Sequence, residues 1–172
     1  QALAAPGVVE RFVSPEEANL LRLSFAGLWS LDKTTEEGGS EDPAALAKVI
    51  ADATAAPQRF VLKPQREGGG NNYYGEAVKT ELARMGAEER AGYILMQRIF
   101  PQLQEALLVK GGKITVASCL SELGLFSTYL GGPDGEALVS EQVGHLVRTK
   151  PLGVDEGGVA AGFAVLSTPI LR

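Results

Sequence analysis

Apolar positions along the chain recur with two different periods, one helical and one extended. Leu20, Leu21, Phe25 and Trp29 are spaced as one helical face. Ser14 followed by Pro15, Glu16 and Glu17 supplies the start of that helix: a hydroxyl cap, a proline at the first helical position and acids where the macrodipole favours them. Leu46, Val49, Ile50 and Ala53 form a second stripe, on a helix predicted to begin at Asp42 and Pro43 and to be ended by Pro57. The polar "KTTEEGGSED" from Lys33 to Asp42 reads as the loop between them. From Phe60 the pattern predicts a short strand, a glycine-rich loop, and a helix from about Gly75 to Met85 closed by Gly86 as its C-cap. "GYILMQRIF", "EALLV", "KITVASCLSELGLFSTYL" and "EALVSEQVGHLVRT" then read as strands, with "KGGK" and "GGPDGE" as turns, and "DEGGVAAGFAVLSTP" as a closing loop. The order predicts an α+β piece with a mostly antiparallel sheet and flanking helices.

Composition narrows the classes. With 172 residues, 45% of them apolar, the chain is long enough for one well-filled core, or one and a half modest ones. Sixteen basic against 21 acidic residues give a net charge of -5, which argues against nucleic acid or an anionic membrane as the main partner, so any anion site must be local. No apolar run approaches a membrane span, and no signal-peptide pattern opens the chain. The single cysteine, Cys119, makes a reducing compartment the default, with the cytoplasm expected and plastid or mitochondrion open. The start at Gln1 rather than methionine points to a processed or longer polypeptide.

Residues 60–75, "FVLKPQREGGGNNYYG", carry the first candidate chemistry. Three consecutive glycines cost backbone entropy that a plain connection does not need. Their N–H groups can face one concavity, as phosphate-binding loops do, and Lys63 and Arg66 add positive charge. Glu67 beside the glycines would spoil a bare anion site unless a divalent cation lies between its carboxylate and the phosphates, which points to a Mg-nucleotide. The pattern is neither a Walker A loop nor a dinucleotide fingerprint, and a surface hairpin loop with scattered charges accounts for the residues about equally well.

Two further constellations stand out. Arg148 and Lys150, two apart on a strand, project from one face, where like charges need an anion or water over them. Glu122, inside the apolar run "ASCLSELGLF", needs a partner: a strand-edge salt bridge, a nucleotide sugar or a metal. His145 and Cys119 read as structural residues.

"FVLKPQREGGGNNYYG", "YILMQRI", "SELGLF", "VGHLVRTK" and "GGVAAGFAVL", in this order and with "SFAGLWSLD" before them, closely resemble the C-terminal part of eukaryotic-type glutathione synthetase. The resemblance implies the C-terminal portion of an ATP-grasp fold over residues 1–172, with a glycine-rich lid at 63–75 and an alanine- and glycine-rich loop at 153–165. It implies an ATP- and Mg2+-dependent ligase that phosphorylates the cysteinyl carboxylate of γ-glutamylcysteine, lets glycine attack the acyl phosphate, and releases glutathione. Such chemistry needs charge neutralisation, water exclusion and alignment more than side-chain acids or bases.

Carried onto this sequence, the resemblance makes Lys63, Pro64, Gln65, Arg66, Glu67, Gly68, Gly69, Gly70, Asn71 and Asn72 the lid over the triphosphate. Glu67 becomes the magnesium ligand and Tyr74 a further ATP contact. Met96, Gln97, Arg98 and Ile99 become the segment whose backbone reads the adenine, with Gln97 and Arg98 departing from the family pattern. Glu122 and Glu156 become nucleotide contacts, Lys150 the phosphate-side lysine, Arg148 the arginine for the peptide carboxylate, and Val159 and Ala160 substrate contacts. Arg148 and Lys150 are the expected catalytic pair.

Family members are much longer, and their remaining magnesium ligands and most of the dipeptide site lie upstream. The chain is therefore expected to be a C-terminal fragment or split half that works with an N-terminal complement, the complete enzyme forming a homodimer. The other possibility is a non-catalytic ATP-grasp remnant serving as a structural or nucleotide-binding subunit of a larger complex.

Overall fold

The computed structural model describes residues 2–32, 43–66, 70–155, 157–160 and 162–168. The chain divides into two compact units, residues 1–99 and 100–172.

In the first unit, α1 (Pro15–Leu23) starts as its sequence dictates. Ser14 Oγ accepts from the Glu17 N–H at 3.3 Å, and the Glu17 carboxylate accepts from the Ser14 N–H at 2.9 Å, a closed capping box. The helix stops at Leu23, earlier than the apolar spacing predicts. Leu20 is 65% exposed, Ala18 supplies the buried contact, and Trp29 belongs instead to a strand, β1 (Leu28–Ser30). Arg22 fastens the N-terminal segment by pairing with Glu10 at 2.8 Å and donating to the carbonyls of Ala4 and Ala5.

The second predicted stripe is confirmed. Leu46, Val49 and Ala53 of α2 (Pro43–Ala55) are buried and Ile50 packs beside them, while Pro57 opens a short 3-10 turn just past the helix. Asp42 and the polar 33–42 segment lie outside the described residues. β2 (Phe60–Pro64), β3 (Tyr73–Tyr74) and β4 (Tyr93–Gln97) join β1 in an antiparallel sheet of order β1-β4-β2-β3. α3 (Glu76–Arg84) and a short α4 (Ala87–Arg90) lie between β3 and β4. Gly86 does not cap α3. The cap position is the buried Met85, and Gly86, extended at φ −71°, caps α4 instead.

The core follows from the pleat. Leu62 and Leu95 pair across β2 and β4 and point with Trp29, Phe60, Tyr73 and Tyr93 to the face covered by α2 and α3, where Val78, Leu82 and Met85 meet them. Burying each of the large aliphatic side chains contributes about 1.5–3 kcal/mol. Alternation puts Val61, Lys63, Tyr74, Ile94 and Met96 on the opposite face.

The second unit is one antiparallel sheet of order β5-β6-β7-β8, formed by β5 (Gln104–Lys110), β6 (Lys113–Gly131), β7 (Ala137–Pro151) and β8 (Val165–Ser167). The two glycines of "KGGK" make the tight turn between β5 and β6. β8 lies inside the segment the sequence presents as pure loop. A row of polar side chains crosses the sheet: Gln104 donates to Ser121, Ser121 Oγ and Thr149 Oγ1 share a hydrogen bond at 2.8 Å, and Ser167 Oγ donates to Thr149 Oγ1 at 2.8 Å. Thr149 and Cys119 on this face are buried. The α+β class with antiparallel pairing is thus observed, as two four-stranded sheets rather than one.

Candidate functional site

In the first unit the site residues collect around the end of β2. Lys63 sits opposite Ile94, and Val61 lies between Tyr74 and Met96, so Lys63, Tyr74 and Met96 share the face turned away from the helical core. Arg98, two residues past Met96, sets its guanidinium 5.5 Å from the centre of the Tyr74 ring, a cation–π contact. The Asn72 amide donates to the Tyr74 hydroxyl at 3.4 Å. After Pro64 the chain turns back on itself, with Gln65 N–H bonded to the Gly92 carbonyl at 2.8 Å and Arg66 N–H to the Pro64 carbonyl at 2.9 Å. Glu67, Gly68 and Gly69 lie outside the described residues, and the segment re-enters at Gly70 with φ +82°, followed by Asn71.

The backbone of 96–99 is more committed than its sequence reveals. Gln97 N–H donates to the Gly27 carbonyl at 2.8 Å, the Gln97 side-chain oxygen accepts from Gly27 N–H at 3.0 Å, and Arg98 N–H donates to the Arg59 carbonyl at 2.8 Å. A base docking there would therefore meet carbonyl oxygens and the Ile99 N–H rather than the N–H groups of Gln97 and Arg98.

In the second unit the register of β6 against β7 places Leu120 opposite Lys150, Glu122 opposite Arg148 and Gly124 opposite Leu146. Arg148 and Lys150 do share a strand face, and Glu122 shares it with them. Arg148 forms an ion pair with Glu122, so the carboxylate inside the apolar run has the cross-strand cation as its partner. Lys150 Nζ reaches off the strand end to donate to the Asp155 carbonyl at 2.6 Å. The neighbours on this face, Leu107, Val109, Ile114, Val116 and Leu166, are exposed. The face is a charged cluster set in an apolar field, suited to a ligand with both flat apolar and anionic parts.

The alanine- and glycine-rich segment closes into a turn. Gly162 N–H bonds to the Val159 carbonyl at 2.9 Å, and Phe163 N–H bonds back to Gly158 at 2.9 Å, leaving Ala160 exposed at the tip. Glu156 lies outside the described residues. One residue that sequence reasoning passed over enters here: Lys110, at the end of β5, donates to the Gly162 carbonyl at 2.6 Å. Its only sequence signal was its place in "KGGK". His145 is an exposed strand residue opposite Leu125. Among the described residues no group of three or more His, Cys, Asp or Glu side chains is gathered to hold a metal ion. No helix among them is long and apolar enough to cross a membrane.

Comparison with known proteins gives these clusters a context. A family model described as eukaryotic glutathione synthase, ATP binding domain, matches residues 1–171. The chloroplastic glutathione synthetase of Arabidopsis thaliana is 47% identical over 172 residues, covering 98% of this chain and 29% of that protein. Glutathione synthetase of Homo sapiens is 47% identical over 173 residues, covering 98% of this chain and 34% of that protein. The chain thus spans about a third of the length of the curated relatives it matches. Among solved structures, the apo form of a glutathione synthetase-like effector from Globodera pallida superposes with a TM-score of 0.68 at 22% identity, covering all of this chain and 33% of that one, a likeness of fold that agrees with an ATP-grasp-like arrangement. On the family match along nearly its whole length, the chain belongs to the eukaryotic glutathione synthetase family.

Proposed function

We propose that the chain supplies the ATP-binding part of a glutathione synthetase and, with an N-terminal complement, joins γ-glutamylcysteine to glycine. The observation that carries this reading is the grouping of Lys63, Tyr74 and Met96 on one face of the first sheet, directly beside the glycine-rich segment. A lysine on the strand that feeds a glycine lid can neutralise phosphate charge, and Tyr74, steadied by Arg98 and Asn72, offers an aromatic wall.

Glu67, the acid of the glycine segment, is the residue here that would hold Mg2+, which when bound would supply charge neutralisation to the triphosphate. The remaining ligands would come from the complement. Arg148 would take the carboxylate of the peptide in place of Glu122, and Lys150 would hold the transferring phosphoryl group. The γ-phosphoryl then passes from ATP to the cysteinyl carboxylate with release of ADP, the glycine amine attacks the acyl-phosphate carbon and gives up a proton, and phosphate leaves as the amide bond forms. Homodimerisation of the complete enzyme belongs to the same reading.

Calorimetry with Mg-ATP on the chain alone, followed by an assay for glutathione with the complement, γ-glutamylcysteine and glycine added, tests the proposal. Binding by the chain, weakened by Lys63→Ala, and synthesis only by the two-part complex are expected. A chain that binds no ATP with or without Lys63 would be a structural remnant, and an inactive complex would refute the ligase role.

A further inference from the structure

We propose that Lys110 is a positioning residue that holds the alanine- and glycine-rich loop in its substrate-facing form; its role toward peptide rests on the function proposed above. The loop turn from Val159 to Gly162 is closed by its own hydrogen bond at 2.9 Å, but its link to the sheet at the apex is the Lys110 ammonium on the Gly162 carbonyl at 2.6 Å. Gly162 itself has φ +77°, a left-handed conformation that L side chains rarely adopt, and a Cβ there would come within 3.4 Å of the Lys110 nitrogen. Glycine thus adopts without strain the backbone conformation that presents this carbonyl to the lysine.

The lysine also has a reason to seek that carbonyl. Lys110 and Lys113 are direct cross-strand partners at the two-glycine turn, and like charges so placed repel. Turning one ammonium onto a backbone oxygen relieves the pair and draws the loop over the cavity floored by Thr115, Ala117 and Thr149. Lys150 on the Asp155 carbonyl ties the start of the same loop. The segment that presents Val159 and Ala160 is thus strapped at both ends by lysines, Lys150 from β7 and Lys110 from β5, of which Lys110 touches no expected ligand.

Amide hydrogen exchange over residues 158–164 of the chain, in the wild type, Lys110→Met and Lys110→Arg, tests the strap, and the KM for γ-glutamylcysteine and for ATP in the complex with the N-terminal complement tests its purpose. Lys110→Met is expected to speed exchange in the turn about three- to tenfold and to raise the dipeptide KM by a similar factor with the ATP KM unchanged, and Lys110→Arg to restore both. Unchanged exchange in Lys110→Met overturns the strap. Faster exchange with an unchanged dipeptide KM overturns the positioning role. A wild-type complex that makes no glutathione while exchange still responds to Lys110 refutes the proposed function, and the peptide role with it, but not the tether.

Discussion

Glu122 and Arg148 stand directly opposite each other on adjacent antiparallel strands and are joined as an ion pair on the sheet face they share with Lys150. Their side chains are 61% and 38% exposed, so solvent screens the pair and its contribution to stability is under about 1 kcal/mol. Glu122→Gln is therefore expected to shift urea unfolding by less than about 1 kcal/mol while weakening Mg-ATP binding about tenfold, since one charge-assisted contact is lost. A large stability loss with unchanged affinity would make the pair structural only.

Removal of divalent metal probes the acid of the glycine segment. Chelation should lower ATP affinity of the wild type about tenfold or more, and Glu67→Gln should show the lowered affinity with metal present and respond little to chelation. If both proteins respond equally to chelation, Glu67 is not a ligand.

Gly27 tests the close packing that supports the 96–99 segment. A Cβ built on it would lie 2.3 Å from Cη2 of Trp29, and the residue exchanges two hydrogen bonds with Gln97. Gly27→Ala should cost about 1–3 kcal/mol by overpacking, and because the chain has one tryptophan, its emission should shift with the strained ring. Unaltered emission and stability would show that the ring moves aside freely.

Acid should release the N-terminal segment first. Hydrogen bonding to the Arg22 guanidinium holds the Glu10 carboxyl below its ordinary value. A depressed folded-state value means that this stabilisation is fully present above the ordinary carboxylate range and is lost as pH falls through the lowered value. Thermal melts in steps from about pH 6 to about pH 3 should fall more steeply for the wild type than for Glu10→Gln; parallel curves would remove the pair from the account.

The sequence made visible whatever depends on short-range spacing. The stripe of α2, the strand before the glycine segment and the shared face of Arg148 and Lys150 all follow from periods of 3.6 and 2. Trp29 was misassigned because it stands four residues after Phe25, as a helix would place it, although Ser24 ends α1 and a three-residue strand is too short to show alternation. β8 was hidden among small residues, and its pairing with β7 is a property of register, not composition. Glu122 could be recognised as needing a partner, but naming Arg148 required knowing which residues of β6 and β7 align across 26 positions of chain. The commitment of the Gln97 and Arg98 N–H groups to Gly27 and Arg59 was equally invisible, because those acceptors lie far away in sequence.

The row from Gln104 through Ser121 and Thr149 to Ser167 runs along the face opposite Glu122, Arg148 and Lys150. A one-residue slip of β7 would turn Arg148 and Lys150 to the wrong side and break both hydrogen bonds that Thr149 makes in that row. The alignment of the charged face is thus written on its reverse. The charged side chains can change without touching the row, while a single conservative change on the reverse face, such as Thr149→Val, would blur the aim of all three charged groups together.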